Sequence, residues 1–197
     1  MADQANAVGD TDSYDYGKFY AREEYIFGEV GPRFRRTGRI DPCDFYLILI
    51  WKAERAKSRH RKRLAKLAKK RGSFSAAVEE IASSLHATRE PDLRLKILME
   101  KWKFLLPTAS AILTVLYPEE FTIYDVRLCE ELDGFRDLAK KAAFSDELWA
   151  AFWADYQRFM KAVKAAAPAR LSLRDADRYL WGRSVYKSIQ ADLRERS

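Results

Sequence analysis

The chain has 197 residues, 48% of them hydrophobic and 13% aromatic, so it has enough apolar material for a core and is not a disordered protein. Only eight glycines and six prolines are present, which favours helices over a turn-rich β fold. The net charge of +7 is local, because residues 51–71 contain eleven Lys or Arg and one acid while the rest sums to −3. Such a distribution is typical of a face that binds a polyanion.

The same composition argues against several classes of protein. No apolar run approaches the roughly 18 residues that span a membrane. The N-terminus lacks the basic-then-apolar pattern of a secretory signal, so we expect a cytoplasmic protein. Cys43 and Cys129 form no metal-binding spacing with His60 and His86, so neither a metal nor another cofactor is expected. We expect a monomer.

The N-terminal third begins with an acidic stretch. Residues 1–17 contain four Asp and no basic residue, and we expect them to be mobile. Residues 18–197 are expected to form a single helical domain. Within it, residues 18–27 indicate a helix, and residues 28–38, with three Gly and Pro32 among several Arg, predict a loop.

A long basic helix is predicted next. Asp41 and Pro42 supply an N-cap carboxylate and a proline at the first helical position. The apolar run at 45–51 is also compatible with a buried strand, but the cap and the Lys/Arg-rich continuation favour one helix through Lys70. Beyond Lys52 this helix is basic. Phosphate contact explains the charge, a solvated helix face is the alternative, and a membrane surface is less favoured because no aromatic apolar face accompanies it.

Two further helices precede the most informative segment. After a break at 72–73, residues 74–85 show an amphipathic pattern. Another helix begins at Glu90, with Leu93 among its inward residues, and ends in the Lys-Trp-Lys-Phe segment at 101–104. We predict that both aromatic residues of this segment are core, and a wedge or stacking role against DNA is the alternative.

Residues 104–132 read as helix, turn, short apolar piece and helix. Pro107 suits the first turn of a helix, and Tyr117-Pro118 ends it. Asp125 stands where the next helix needs an N-cap, directly before Val126 and Arg127. A carboxylate is therefore expected at a helix mouth. A plain cap is its simplest role, worth about 1 kcal/mol to the helix.

The C-terminal third predicts two helices. The first contains an aromatic stripe between Trp149 and Val163 at helical spacing, which we expect to be core. The second begins at a capping box formed by Ser172 and Asp175. Asp177 and Arg178 are expected to form a surface or interlobe pair. The inward residues predicted for this helix are Ala176, Leu180, Val185 and Ile189, with Trp181 beside them.

Three stretches resemble one known family: LPTASAILTVLYPEEFTIYDVRLCEEL at 106–132, LRDADRYLW at 173–181 and WKAER at 51–55. They are similar to segments of the helix–hairpin–helix DNA glycosylase superfamily, especially small bacterial proteins similar to 8-oxoguanine glycosylases. The resemblance implies an all-α, two-lobed helical bundle, and it implies that Asp125 matches the catalytic aspartate.

The departures from the family pattern define what to expect of the chemistry. Lys103 and Leu105 occupy the positions of two hairpin glycines, so the hairpin is degenerate. Pro107 stands where family members with lyase activity have a lysine. Cleavage should therefore be monofunctional, with Asp125 and a water.

The resemblance and the basic stretch together predict a site on the protein that binds duplex DNA with one base flipped out of the helix. The resemblance implies that Asp125 is the catalytic residue, and Trp51, Trp102 and Trp181 are candidates for the base pocket. The function implied is removal of a damaged or modified base, and the alternatives are a non-catalytic nucleic-acid-binding protein or a helical protein-interaction module. The DNA contacts are expected from Lys52, Arg55, Lys57, Arg59, Arg61, Lys62, Lys101, Lys103 and Arg127.

Overall fold

A computed structural model describes residues 17–141 and 144–194, and all secondary structure in this part of the chain is helical. The all-α prediction is therefore confirmed. The acidic segment predicted to be mobile lies outside the described residues, except for Gly17, which begins the first helix. The helices are α1 (Gly17–Tyr20), α2 (Arg22–Tyr25), α3 (Gly31–Thr37), α4 (Pro42–Lys52), α5 (Lys57–Arg71), α6 (Phe74–Ala87), α7 (Pro91–Lys96), α8 (Leu106–Leu116), α9 (Val126–Glu131), α10 (Asp146–Ala165) and α11 (Leu173–Arg194). Short π-helical turns at Ile26–Val30 and Ile97–Lys101 and 3₁₀ turns at Glu54–Ala56 and Leu138–Lys140 join some of them.

The loop predicted at 28–38 is wrong, because this segment is helical through α3. Pro32 lies in the first turn of α3, where its missing N–H costs nothing. Gly31 is buried against α8, and a Cβ there would come within 2.4 Å of the Val115 carbonyl oxygen. Gly38 ends the helix with a φ of +68°, a conformation that glycine adopts without strain. The two glycines therefore serve close packing and helix termination.

The single helix predicted from Asp41 to Lys70 is also wrong, because it is divided into α4 and α5. The N-cap is confirmed, since the Asp41 carboxylate accepts the Cys43 N–H at 2.7 Å. Ala53 leaves helical geometry with φ −152° and ψ 68°, and a 3₁₀ turn precedes α5. The break lets α4 pack against α8 while α5 packs mainly against α6.

Two side chains predicted to face inward are exposed. Leu93 is exposed on α7, where Leu95 is buried instead, and Leu98 is buried in the π-helical turn that follows. Ile189 is 50% exposed, since only the first half of α11 contacts the core. The core preference is confirmed for both aromatic residues of the 101–104 segment.

The buried apolar side chains form one continuous core. Helix α8 is its centre, with nearly every residue buried and with α3, α4 and α7 packed around it. Towards the C-terminus, α11 packs against α9 and α10. The aromatic stripe of α10 is confirmed as core, because Trp149, Phe152, Tyr156, Phe159 and Val163 are all buried.

Candidate functional site

A pocket of about 460 Å³ opens where the C-terminal end of α4, the N-terminal end of α9, the first turns of α11 and helix α2 meet. This volume lies within the range of about 300 to 1,000 Å³ that small-molecule sites occupy. We call it the carboxylate pocket. Its lining residues are Glu23, Trp51, Lys52, Ile123, Asp125, Arg174, Asp177, Arg178 and Trp181.

Asp125 is held in place by the non-helical segment that precedes it. The Tyr124 N–H donates to the buried Ser110 hydroxyl at 3.0 Å, which fixes the segment to α8. The Thr122 carbonyl accepts the Tyr156 hydroxyl at 2.5 Å, which fixes it to α10. The chain therefore reaches Asp125 along a rigid path between two core helices, and the carboxylate has a defined position at the pocket wall.

Both carboxylate oxygens of Asp125 have partners. Oδ1 accepts the Arg127 N–H at 2.9 Å, so the predicted N-cap of α9 is confirmed. Oδ2 forms an ion pair with Lys52, whose side chain is 12% exposed against 19% for Asp125. Burial opposes ionisation, but the charge of Lys52, its hydrogen bond and the Arg127 N–H outweigh burial, so the pKa of Asp125 lies below its usual value. The pocket thus contains an ionised carboxylate at neutral pH.

Aromatic rings and guanidinium groups form the pocket walls. Trp51 packs edge-on against Phe27, with ring centroids 5.4 Å apart. The Arg174 guanidinium lies over both rings, at 4.4 Å from the Phe27 centroid and 5.5 Å from that of Trp51. Trp181, which also lines the pocket, is 48% exposed, with Arg127 5.6 Å from its ring. The pocket lining thus includes two indole rings on which a planar aromatic ligand could stack.

Arg174 links the two ends of the chain at the base of the pocket. Its guanidinium bonds to Glu23 at 2.7 Å and to Asp177 at 3.1 Å. Asp177 is buried and also accepts the Ile123 N–H at 3.3 Å. Burial raises the pKa of Asp177 against the attraction of Arg174.

The predicted pairing of Asp177 with Arg178 is wrong. Arg178 instead bonds to Glu23 at 3.3 Å and approaches Asp175 at 3.8 Å. Asp177 pairs with Arg174 instead of Arg178 because of helical geometry. Arg174 lies three residues before Asp177 on the same face of α11, whereas adjacent residues point in different directions.

The structure brings together four of the predicted site residues, since Trp51, Lys52, Asp125 and Trp181 all line the carboxylate pocket. Lys52, expected at a phosphate, instead faces the carboxylate. Trp102 lies outside this pocket, buried in the core. The remaining candidates are dispersed: Lys57, Arg59 and Arg61 are exposed on α5, Lys62, Lys101 and Lys103 line a second cleft, Arg127 flanks Trp181, and Arg55 lies in the 3₁₀ turn, with its side chain outside the described part of the chain.

The segment that the sequence resemblance matches to a hairpin lies between Lys101 and α8. Lys103 has a φ of +58°, in the left-handed region that favours glycine. The next residue, Phe104, donates its N–H to the Leu98 carbonyl at 2.9 Å and so closes the end of the preceding helix. Leu105 is exposed, and Pro107 lies in the first turn of α8 as predicted. At this position the turn has a backbone conformation that favours glycine, although a lysine occupies it.

The comparisons with known proteins identify no relative. No protein-family model, no curated protein sequence and no solved structure matches the chain. Among the described residues, no group of three His, Cys, Asp or Glu side chains could hold a metal ion. None of the described helices combines the length and apolar character needed to cross a membrane.

Proposed function

We propose that this protein binds DNA and removes a damaged or modified base by monofunctional hydrolysis of the N-glycosidic bond, in a fold resembling the helix–hairpin–helix DNA glycosylases. One observation supports this above all. Asp125, the residue that the sequence resemblance matches to the catalytic aspartate, opens into an aromatic-walled pocket of about 460 Å³. A pocket filled by side chains would instead have favoured a protein that binds nucleic acid without catalysis.

The pocket residues suit the chemistry of base removal. A base must leave the helical stack before its sugar bond is accessible, and Trp51 and Trp181 offer faces on which it can stack. As the bond between C1′ and the base nitrogen breaks, its electron pair leaves with the base and positive charge develops on the sugar. An ionised Asp125 stabilises that charge. The oxygen of a water then bonds to C1′, and the water loses a proton to the departing base or to solvent.

The surroundings of Lys52 support a monofunctional reaction. A lyase reaction requires a neutral amine that attacks C1′ and forms a Schiff base. The Lys52 ammonium is paired with Asp125 and has no free electron pair in that state. Pro107 occupies the position at which lyase members of the family that the sequence resembles have a lysine. We therefore expect an abasic site as the product, with the strand intact.

A second function is favoured by the saturation of Asp125. Oδ1 is bonded to the Arg127 N–H and Oδ2 to Lys52, so the carboxylate is a satisfied cap and ion-pair partner without any substrate. A non-catalytic nucleic-acid-binding protein with this fold would have the same geometry. The difference between the two functions is whether Asp125 has a chemical role beyond its structural one.

The decisive experiment measures base release from duplexes that contain oxidised, deaminated, alkylated or hypermodified bases, with products read after alkali. Asp125→Asn is compared with the parent and with Asp133→Asn, which removes an exposed carboxylate outside the pocket. We expect release by the parent and by Asp133→Asn and loss of release in Asp125→Asn. Salt-sensitive binding with no release across the panel would favour the non-catalytic alternative.

The same reactions test the monofunctional assignment. Strands should break only after alkali, and sodium borohydride should trap no covalent complex. If borohydride traps the parent but not Lys52→Met, Lys52 acts as a lyase nucleophile and the assignment is wrong.

A further inference from the structure

A second cleft, of about 380 Å³, lies between α5 and the turn at 101–103, and it shares no lining residue with the carboxylate pocket. We call it the basic cleft. Lys62, Lys66 and Lys70 line it from α5, and Lys101 and Lys103 line it from the turn. None of its described lining residues is acidic. Its charge is therefore of one sign, whereas acidic and basic side chains alternate around the carboxylate pocket.

Three of these cations form a row. Lys62, Lys66 and Lys70 are spaced four residues apart, which puts them on one face of α5 and about 6 Å apart along its axis. All three are exposed, and no carboxylate of the described residues lies within ion-pair distance of them. Like charges at this spacing repel one another, so the row disfavours the helix that contains it. A bound polyanion would remove that repulsion.

Two of the cations that line the basic cleft have an acidic partner outside it. Glu80, which does not line the cleft, accepts from Arg71 at 3.0 Å and from Lys101 at 2.9 Å. The buried ring of Trp102 lies under the same two cations, with centroid distances of 5.3 and 5.5 Å. Glu80 therefore compensates Arg71 and Lys101, while no carboxylate of the described residues compensates the lysine row.

We propose that the basic cleft binds the phosphodiester backbone of a nucleic-acid strand, at a place separate from the carboxylate pocket. This proposal rests on the DNA-binding part of the proposed function and not on base removal. Cations repeated along a helix axis suit a linear polyanion, whose charges also repeat along a line. Because Trp102 and Phe104 are buried, neither ring of the turn can stack on a base or insert into a bilayer. The contact is therefore to phosphate and independent of sequence.

The test compares two triple variants that remove the same charge. Lys62→Ala, Lys66→Ala and Lys70→Ala together remove the row, and alanine favours the helix. The matched control replaces the exposed residues Lys69, Arg89 and Lys161 by alanine, none of which lines the basic cleft. The affinity of each protein for a fluorescein-labelled, undamaged duplex is measured over a series of NaCl concentrations, after circular dichroism has shown that each is folded.

Removal of three phosphate contacts should reduce the slope of log K against log salt by about 0.9 for each contact, thus by between about 2 and 3 in total. The control triple should keep the slope of the parent. Equal slopes for the two triple variants, or absence of duplex binding by the parent, would overturn the proposal. Binding of each protein to anionic phospholipid vesicles is measured in parallel. If the row variant loses vesicle binding but keeps the duplex binding of the parent, the proposal is also overturned.

The two proposals fail separately. A changed slope in a protein that releases no base would retain the basic cleft and remove the glycosylase assignment. If the parent releases a base but the row variant shows no change of slope, the glycosylase assignment is retained and the basic cleft proposal is rejected.

Discussion

Replacing Asp125 by asparagine and by alanine separates the two interactions of its carboxylate. Asparagine is about as good an N-cap as aspartate, so Asp125→Asn keeps the hydrogen bond from the Arg127 N–H and loses only the charge. Alanine loses both. Because removing a cap costs about 1 kcal/mol, Asp125→Ala should be less stable than Asp125→Asn by that amount.

The loss of charge has its own cost. In Asp125→Asn, Lys52 keeps its ammonium at 12% exposure without its counter-ion. A hydrogen bond between charged groups contributes about 1.5 to 3 kcal/mol, so we expect the free energy of unfolding to fall by about 2 kcal/mol at pH 7. Asp125→Ala should then lose about 3 kcal/mol in total.

The pH dependence has a definite sign. The folded-state pKa of Asp125 lies below the ordinary value of 3.8, so the ion pair contributes fully above that value and is lost as the pH falls through the folded pKa. The advantage of the parent over Asp125→Asn should therefore be constant from pH 7 to about pH 5 and shrink below pH 3.8. The cap contribution, measured as the difference between the asparagine and alanine variants, should not change with pH.

Urea denaturation followed by circular dichroism at several pH values measures these differences. Lys52→Met, alone and combined with Asp125→Asn, completes a double-mutant cycle, and the pair should show coupling because the double variant leaves no stranded charge. An asparagine variant as stable as the parent at pH 7 would refute the contribution of the ion pair. Equal stability of the asparagine and alanine variants would refute that of the cap.

Three further substitutions test the packing that supports the site. Gly31→Ala would place a methyl group against the Val115 carbonyl oxygen and should cost about 2 kcal/mol, and an unchanged urea midpoint would contradict the close approach. Lys103→Gly should exceed Lys103→Ala in thermal stability by about 1 kcal/mol, because both remove the charge but only glycine relieves the positive φ, and the reverse order would argue against that backbone. Asp44→Ala should cost about 2 kcal/mol, because the buried Asp44 carboxylate accepts hydrogen bonds from Arg33 and from the Tyr25 hydroxyl, and a loss below about 1 kcal/mol in urea denaturation would contradict those contacts.

Features with local causes could be predicted from the sequence. The caps at Asp41 and Asp125 each depend on a backbone N–H two residues away, so residue type and position are enough to identify them. The aromatic stripe of α10 is likewise a pattern within one helix. Helix boundaries with such signals were therefore found to within a few residues.

Features with distant causes could not be predicted. Gly31 and Pro32 are ordinary loop signals, but the contact that explains Gly31 is made by Val115, more than eighty residues later. The break after Lys52 has no glycine or proline to mark it. Local composition therefore predicted a loop where the chain is helical and a continuous helix where it is interrupted.

The candidate site shows the same division between local and distant causes. Asp125 was identified because its cap lies within its own helix and because its segment resembles a known family. Glu23 and Arg174 were not identified, since they bond to each other across 151 positions of sequence. Lys52 was assigned to phosphate because it begins a basic run, yet its partner lies 73 residues away and determines the charge of the carboxylate. The sequence thus indicated a candidate carboxylate, but the protonation state of that carboxylate depends on a contact that only the fold creates.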